Sequence, residues 1–375
     1  MYGPKVGGGG LGRYVEQLVT ELQKQDLENR YILFLKKENF DACVMSNPRF
    51  EKRLADVHWY TLREQIRMPK LIDQEHLDLI HFPHWNVPFF CKTPFVVTIH
   101  DLILLEEPQS AKATTRHPAV FALKRIGYKI VLWHAIRASK KIIAVSEYTK
   151  SAIQKFFPFV PSEKVSVVYE GVTRFSEQPS TSSGTILFPE RAERVEGSDR
   201  SYFLYVGNAY PHKNLEFLIR AFQKFSETRP DMKLVLAGRD DVFYKRLRND
   251  NKNIRFIMNP TDEDLAELYR NATAYVFPSR SEGFGLPPLE AMSAGVPVVA
   301  SRIGALTEIL GDAAIYFSSN DPDELVRALQ QVTSDSTIRA QLIAKGHERI
   351  KRYSWETMVQ QIRQTYELVT HRKTE

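Results

Sequence analysis

Short runs of β-branched and aromatic residues alternate with helix-patterned segments along both halves of the chain. This alternation is typical of βαβ units, in which helices cover the faces of a parallel sheet. The strands predicted in the first half are Tyr31–Lys36, Val57–Leu62, Leu77–Phe82, Pro94–His100, Lys141–Val145 and Val165–Tyr169. Those predicted in the second half are Tyr202–Val206, Lys233–Ala237, Ile254–Met258, Ala274–Phe277, Pro297–Ala300 and Ala313–Phe317. The sequence therefore predicts an α/β protein with two doubly wound parallel sheets.

A chain of 375 residues is longer than most single domains. Residues 176–200 are rich in Ser, Thr, Pro, Gly and charge, which is typical of an interdomain linker. We therefore predict a first domain at 1–175 and a second at 201–352. Residues 353–375 are predicted to form a helix that returns towards the first domain.

Composition excludes several classes of protein. No apolar run approaches the roughly 18 to 20 residues that span a bilayer, and the chain does not open on a basic-then-apolar leader. Cys43 and Cys91 are too few for a disulfide framework or a thiolate metal site. These features predict a cytoplasmic protein.

The net charge of +6 is unevenly distributed, because the basic excess lies in the first half. No acidic residue occurs from Pro108 to Ser146, where a predicted helix at 117–139 mixes Lys and Arg with apolar residues. Such a helix is either a membrane-surface element or a domain helix with a solvated face. Nucleic-acid binding is not expected, since no aromatic platform or nucleic-acid module accompanies the arginines.

The glycine run Gly7–Gly12 leads into a predicted helix, Leu11–Lys24, and formally contains G-x-G-x-x-G. A dinucleotide site would need an acid at the end of the next strand, whereas Glu28 precedes its strand. The run could still offer backbone N–H groups to a phosphate or substrate, or be a plain tight turn. A glycine turn of this kind normally follows a strand, and Met1–Val6 is too short for one. We therefore predict that the natural protein begins upstream with a short apolar strand in the middle of the first sheet.

The segment Phe277–Met292 combines a strand end, two glycines, two prolines and two glutamates. Pro287 and Pro288 suit the first turn of a helix, whose first N–H groups have no internal partner. The glycines free the backbone there for an incoming phosphate. Glu290 could accept hydrogen bonds from vicinal sugar hydroxyls, with Glu282 at the mouth of the site. Alternatively, both glutamates are solvated acids that stabilise the helix dipole.

Two further residues follow predicted strands. Lys213 opens the helix after Tyr202–Val206, where its ammonium can reach an anion at the carboxyl ends of the strands. His100 ends another strand at the same kind of edge, although a lone histidine there is more often structural. Asp101 is interpreted as a cap or turn residue.

Residues 282–290 read Glu-Gly-Phe-Gly-Leu-Pro-Pro-Leu-Glu, and residues 294–301 read Ala-Gly-Val-Pro-Val-Val-Ala-Ser. Together these segments resemble the donor site of family 4 retaining glycosyltransferases. The likeness extends to Gly-Asn-Ala-Tyr-Pro-His-Lys-Asn at 207–214, Leu-Ala-Gly at 236–238, Gly9–Tyr14, His100-Asp101 and Ser146-Glu147. It therefore covers nearly the whole chain outside the linker.

The resemblance implies the GT-B fold, in which two Rossmann-like domains face a central cleft. It also implies transfer of a hexosyl group from a nucleotide diphosphate sugar with retention of configuration. The residues implied to bind the donor are Asn208, Lys213, Gly283, Phe284, Gly285, Leu286 and Glu290. Catalytic roles fall to His100, Glu282 and Lys213, and acceptor or phosphate contacts to Gly9, Gly10, Gly12, Arg13 and Tyr14. Family members commonly carry arginine where Asn208 stands, so a second cation is missing, and His212 is the candidate substitute.

A metal site is not expected. Asp262–Asp264 and Asp321–Asp323 have the Asp-x-Asp pattern that holds a divalent ion on a diphosphate in the other large glycosyltransferase fold. Both introduce amphipathic helices after turns, where Asp is favoured as a cap. The diphosphate would then be neutralised by Lys213 and helix amides.

The segments PHKN and EGFGLPPLEAM look like those of bacterial mannosyltransferases of surface-polysaccharide pathways. This likeness favours GDP-mannose as the donor, with no other cofactor, and a sugar or lipid-linked sugar as acceptor. Enzymes of this kind often act at the inner face of the membrane, where anionic lipid would attract the basic helix. Two rival functions remain: a nucleotide-sugar epimerase of the same fold, and a truncated, non-catalytic protein that binds nucleotide sugars.

Overall fold

The computed structural model describes residues 9–108, 118–173, 202–248 and 250–370. These form two compact units. Unit 1 comprises residues 9–102, 118–171 and 353–370, and unit 2 comprises residues 103–108, 172–173, 202–248 and 250–352. The predicted linker at 176–200, the segment Met1–Val6 and the first two glycines of the glycine run lie outside the described residues.

Unit 1 is an α/β unit with two parallel sheets. Its helices are α1 (Gly9–Gln25), α2 (Lys37–Phe40), α3 (Leu62–Gln74), α5 (Pro118–Ala138), α6 (Glu147–Phe156) and α14 (Trp355–Thr370). Its strands are β1 (Tyr31–Leu35), β2 (Phe50–Leu54), β3 (Ile80–Phe82), β4 (Phe95–Ile99), β5 (Lys141–Ala144) and β6 (Val165–Val167). β1 pairs with β2, and the remaining strands form a second sheet in the order β3-β4-β5-β6. Every residue of β4 is buried, as expected for an inner strand that helices cover on both faces.

Unit 2 contains one parallel sheet of six strands in the order β12-β11-β10-β7-β8-β9. The strands are β7 (Tyr202–Val206), β8 (Lys233–Gly238), β9 (Ile254–Met258), β10 (Ala274–Phe277), β11 (Val298–Ser301) and β12 (Ala314–Phe317). The helices are α4 (Ile103–Glu106), α7 (Leu215–Ser226), α8 (Val242–Leu247), α9 (Asp262–Asn271), α10 (Leu286–Ser293), α11 (Gly304–Leu310), α12 (Pro322–Ser334) and α13 (Ser336–Ile350). The strand order reverses between β7 and β10, and ligands of such sheets bind beside the carboxyl ends of strands at this point.

The last helix of the chain, α14, packs against α1 within unit 1. Nε of Arg363 lies 3.2 Å from Oδ2 of the fully buried Asp26 at the end of α1. At the start of α14, the indole of Trp355 lies so close to Gly171 that a Cβ on that glycine would collide with it. The packing therefore depends on a glycine at residue 171.

One predicted strand is wrong. Val57–Leu62 is not a strand, because the side chain of Thr61 accepts a hydrogen bond from the Glu64 N–H and so caps α3, which begins at Leu62. The second strand of this unit is β2 instead. Its sequence, Phe-Glu-Lys-Arg-Leu, lacks the apolar pattern that predicts a strand, because its three middle residues are charged. Of these, Arg53 forms ion pairs with Glu51 and Glu75.

The prediction of two Rossmann-like, parallel-sheet domains is confirmed. The remaining predicted strands are found, with ends shifted by no more than a few residues. Within the described ranges, no helix is both long and apolar enough to cross a bilayer.

Candidate active site

The loops that follow β7 and β10 meet at the point where the strand order of unit 2 reverses. A short turn at Pro211–Lys213 ends on Asn214, whose left-handed backbone starts α7. The Asn214 amide donates hydrogen bonds to the carbonyls of Pro278, at 3.2 Å, and Ser319, at 2.9 Å. The Arg280 N–H donates to the His212 carbonyl, at 2.8 Å. These bonds fix the position of Lys213 relative to the loop after β10.

Lys213 and Glu282 form an ion pair in this corner. Nζ of Lys213 lies 2.6 Å from Oε1 of Glu282, and their side chains are only 15% and 9% exposed. The ammonium also lies 5.4 Å from the centre of the Phe277 ring. A pair this well shielded from water costs desolvation energy that a surface pair does not, so its position at the strand ends suggests a role besides stability.

The glycine-proline segment forms the turn that the sequence predicts. Gly285 has φ +105°, a left-handed conformation that favours glycine, and a Cβ there would lie 2.8 Å from the Leu306 side chain. Helix α10 begins at Leu286, with Pro287 in its first turn. Gly283, Phe284 and Gly285 are buried, and Leu286 and Pro287 are half-buried. The positive end of the α10 dipole thus begins four residues after Glu282.

Glu290 is buried in α10, with 8% of its surface exposed. Its Oε2 accepts a hydrogen bond from the Tyr269 hydroxyl at 3.1 Å. Glu282 is also 8% exposed. The alternative in which both glutamates are solvated acids is therefore wrong. The sequence does not predict the role of Tyr269, because no local sequence pattern links a tyrosine of α9 to a glutamate of α10.

Asn208 and His212 complete the loop after β7. Asn208 is half-buried, and its Oδ1 accepts a bond from the Tyr210 N–H at 3.3 Å. Burial, aided by the charge of Lys213, lowers the pKa of His212 to about 4. The imidazole is therefore uncharged at neutral pH. The prediction that His212 substitutes for the missing second cation is not supported.

In unit 1, His100 follows β4 and is held from both sides. Its Nδ1 lies 2.8 Å from Oε1 of Glu170, and its Nε2 lies 3.0 Å from the Pro83 carbonyl. Burial lowers the pKa of His100, but the hydrogen bond and charge of Glu170 outweigh burial, and the net shift is upward. Because both ring nitrogens face acceptors, the geometry favours the doubly protonated imidazolium. The sequence analysis does not single out Glu170. The signal that could have identified it is its position just beyond β6, at the same edge of the sheet as His100.

The glycine run enters α1 beside His100. Gly9 and Gly10 are exposed, Arg13 is half-buried, and Gly12 and Tyr14 are buried. The Tyr14 hydroxyl hydrogen-bonds Oγ1 of Thr98 at 3.0 Å, and its ring packs edge-on against the imidazole of His100 at 4.7 Å. Tyr14 thus contacts the candidate catalytic histidine.

The two Asp-x-Asp segments lie at helix N-termini, as predicted. Asp264 completes a capping box with Thr261 at the start of α9. Asp321 accepts hydrogen bonds from the N–H groups of Asp323 and Glu324 at the start of α12. Among the residues that the structure describes, no group of three His, Cys, Asp or Glu side chains is placed to hold a metal ion.

Two family models match this chain. Residues 8–174 match the model of Glycosyltransferase Family 4, and residues 189–349 match that of Glycosyl transferases group 1. The chain belongs to this glycosyltransferase family. The predicted resemblance is confirmed.

Several known proteins are similar to this glycosyltransferase over most of their length. The O-antigen chain mannosyltransferase B of Escherichia coli is 29% identical over 386 aligned residues, which cover 96% of each chain. Sucrose-phosphate synthase from Thermosynechococcus elongatus superimposes with a TM-score of 0.73 at 20% identity, covering 97% of this chain and 94% of that one. Anabaena Alr3699/HepE, in complex with UDP and glucose, gives 0.69 at 18% identity and 96% of each chain. The two structures establish the fold alone.

Proposed function

We propose that this glycosyltransferase is a retaining, metal-independent hexosyltransferase that uses a nucleotide diphosphate sugar, with GDP-mannose as the favoured donor. The observation that carries the proposal is the shielded Lys213–Glu282 pair at the strand ends of unit 2, with buried Glu290 eight residues beyond Glu282. The ammonium of Lys213 and the N-terminus of α10 suit a diphosphate. The buried carboxylate of Glu290 suits a sugar diol.

Lys213 is the group proposed to bind the leaving diphosphate. In the structure its ammonium is balanced by Glu282. An incoming diphosphate carries more charge than one carboxylate, so it competes for the ammonium, while the α10 N-terminus adds N–H donors. In the transition state the bond to the diphosphate breaks and negative charge grows on its oxygen. Stabilising that charge lowers the barrier.

Glu282 takes a second role once Lys213 turns to the diphosphate. Its carboxylate then accepts hydrogen bonds from hydroxyls of the donor sugar and orients the ring. Glu290, whose Oε2 accepts from Tyr269, is proposed to accept hydrogen bonds from the ribose hydroxyls. Asn208 and residues 283–286 line the proposed donor site through their backbone.

His100 is proposed to orient the donor sugar. Glu170 favours the protonated imidazole. The Nε2–H of His100, which faces the Pro83 carbonyl in the structure, would then donate to a sugar hydroxyl instead. The transition state resembles an oxocarbenium ion, which water would trap, so exclusion of water is part of the proposed chemistry. The acceptor hydroxyl attacks from the face that the diphosphate leaves, and its proton passes to the departing diphosphate oxygen as the new glycosidic bond forms.

The acceptor is proposed to be a sugar or lipid-linked sugar of surface polysaccharide or glycolipid synthesis, bound near Gly9–Tyr14. The name of the E. coli relative supports mannose and a polysaccharide product. The Anabaena structure holds UDP and glucose, so a uridine donor is the competing choice for the experiment.

A peripheral position at the inner face of the membrane is proposed from α5. Leu123, Ile126, Ile130 and Trp133 share one face of this helix at three- and four-residue spacing, and are 70%, 56%, 49% and 42% exposed. Exposed lysines and arginines stand beside them along the same helix. An exposed apolar stripe edged by positive charge suits an anionic lipid surface.

The proposal is tested by incubating the purified protein with GDP-mannose or UDP-glucose, with and without extracted lipid-linked sugars, and analysing products by mass spectrometry. Release of GDP together with an acceptor that has gained one hexose supports it. An isomerised nucleotide sugar without acceptor would favour the epimerase. Donor binding with no turnover on any acceptor would favour a non-catalytic binding protein.

A further inference from the structure

A small pocket of about 180 Å³ in unit 2 is bordered by the first turns of α7 and by helix α8. Tyr210 and Pro211, from the loop after β7, also line it. The catalytic and donor residues proposed above, Lys213, Glu282 and Glu290, are not among its lining residues. The ammonium of Lys213 bonds Glu282 instead. The pocket is therefore distinct from the proposed donor site.

Three arginines from different elements line this pocket: Arg220 of α7, Arg246 of α8 and Arg280 of the loop after β10. All three are exposed, so a ligand can reach them. Among the described residues, none of the three guanidinium groups has a carboxylate within ion-pair distance. Arg229 and Arg302 of the same unit, by contrast, each pair with an acid. Since like charges repel, three unpaired arginines around one pocket favour an anion between them.

The charge of the lining matches a particular class of anion. Glu216 is the one acidic residue among those that line the pocket, so three positive charges stand against one negative. A phosphate monoester carries a charge of about −1.5 to −2 at neutral pH. Arginine is also the side chain best suited to phosphate, because its planar N–H groups bind two oxygens at once.

The first turn of α7 adds N–H donors to the same pocket. The helix begins at Leu215, and both Asn214 and Leu215 line the pocket. The side chain of Asn214 does not cap the helix, because its amide bonds the carbonyls of Pro278 and Ser319. The first N–H groups of a helix have no partner within it and carry the positive end of its dipole. They strengthen a lining that the arginines already make positive.

Two aromatic rings form an apolar wall of the pocket. Tyr210 and Phe243 pack edge to face, with their ring centres 5.0 Å apart. Tyr210 is 44% exposed. The guanidinium carbon of Arg246 lies 6.0 Å from the centre of the Phe243 ring, a contact that orders the arginine without neutralising it. Such a wall suits the organic part of a phosphate ester better than it suits a free ion.

We propose that this pocket binds a phosphate monoester. The three arginines and the first turn of α7 hold the phosphate, and the esterified group lies against Tyr210 and Phe243. The volume of the pocket is several times that needed by one water molecule, so it admits a phosphate and a small organic group. This inference does not rest on the proposed catalytic activity.

The proposal is tested by titrating the full chain with glycerol 3-phosphate, inorganic phosphate and glycerol. Binding is followed through the backbone amide NMR signals of Leu215 and Glu216, which line the pocket. We expect glycerol 3-phosphate to shift both signals and to bind more tightly than inorganic phosphate, whereas glycerol leaves them in place. The variant Lys213→Ala should give the same shifts, because its ammonium belongs to the donor site.

Variants of the pocket provide the second part of the test. The double variant Arg220→Gln, Arg246→Gln should bind glycerol 3-phosphate about tenfold more weakly, since it loses two charge-assisted contacts. The matched control, Arg302→Gln, Arg327→Gln, removes the same charge from two other exposed arginines of unit 2 and should bind as the wild type does. Glu216→Gln should tighten binding, because it removes the negative charge of the lining. The Tm of each variant verifies that the chain is folded.

Wild-type affinity in the Arg220, Arg246 variant would overturn the proposal, as would an equal loss in both double variants, since net charge alone would then explain binding. Loss of the amide shifts in Lys213→Ala would also overturn it, because the phosphate would then occupy the donor site. Equal affinity for glycerol 3-phosphate and inorganic phosphate would overturn the assignment to an ester and give the pocket to the free ion.

Discussion

Nζ of Lys213 lies 2.6 Å from Oε1 of Glu282, and most of both side chains is shielded from water. Lys224 and Asp323 form a pair of equal length on the surface of the same unit, with side chains 57% and 55% exposed. Both pairs join a lysine ammonium to a carboxylate, and they differ in their exposure to solvent. A pair on the surface contributes little, whereas the first holds a desolvated cation at the strand ends, where we propose that the donor diphosphate displaces Glu282.

Glu290→Ala is expected to weaken donor binding by about 1 to 3 kcal/mol, because it removes charge-assisted hydrogen bonds to a buried diol. Tyr269→Phe removes the hydrogen bond to the Glu290 carboxylate and should cost about 0.5 to 1.5 kcal/mol. Calorimetry with GDP and GDP-mannose measures both. Donor affinity unchanged by Glu290→Ala would refute the assignment of this residue to ribose.

The pair His100–Glu170 predicts a pH dependence of stability. The folded pKa of His100 is raised, so its stabilising contribution is complete below the unfolded pKa of about 6.5 and is lost as pH rises through the folded value. The buried His81, whose pKa is lowered to about 3, acts in the opposite direction, and stabilises the fold above its unfolded pKa. The difference in Tm between the wild type and Glu170→Gln isolates the first effect. We expect this difference to be largest below pH 6 and to shrink with rising pH; a difference independent of pH would mean that Glu170 does not raise the pKa of His100.

Transfer is expected to survive EDTA. The diphosphate is proposed to be neutralised by Lys213 and the N-terminus of α10, and the Asp-x-Asp segments act as helix caps. Initial rates of GDP release, measured with acceptor before and after chelation, should agree within experimental error. Loss of turnover that manganese restores would contradict this part of the account.

Replacing Lys124, Arg125 and Lys129 with Gln should reduce cosedimentation of the protein with anionic liposomes. Each well-placed charge contributes about 1 kcal/mol at such a surface. The thermal shift caused by the donor should not change, since α5 lies outside the proposed donor site.

A charge-matched control replaces Lys70, Lys92 and Lys155, three exposed lysines elsewhere in unit 1, with Gln. It removes the same net charge and should retain liposome binding. Equal loss in both triple variants would point to net charge rather than to α5. Equal binding of the wild type and the α5 variant would favour a solvated helix face.

The sequence predicts the strands of unit 2 well because they are apolar runs between clear turn signals; Ile254–Met258 and Ala274–Phe277 have the predicted bounds. It misses β2, whose middle residues are charged and whose strand character comes from pairing with β1. Glu170 and Tyr269 are missed for a related reason. Each acts through a partner far along the chain, and only the folded sheet edge or helix packing brings the two together.

The most direct test of the central claim compares GDP binding by the variants Lys213→Ala, Glu282→Gln and Lys224→Ala, by calorimetry on the full chain. We predict that Lys213→Ala weakens binding about 10- to 100-fold, because it removes a charge-assisted contact to the diphosphate. Glu282→Gln should keep or tighten GDP binding, since the ammonium loses its competitor, while transfer of the sugar falls. Lys224→Ala should match the wild type. Wild-type affinity in Lys213→Ala, or equal losses in the Lys213 and Lys224 variants, would contradict the account.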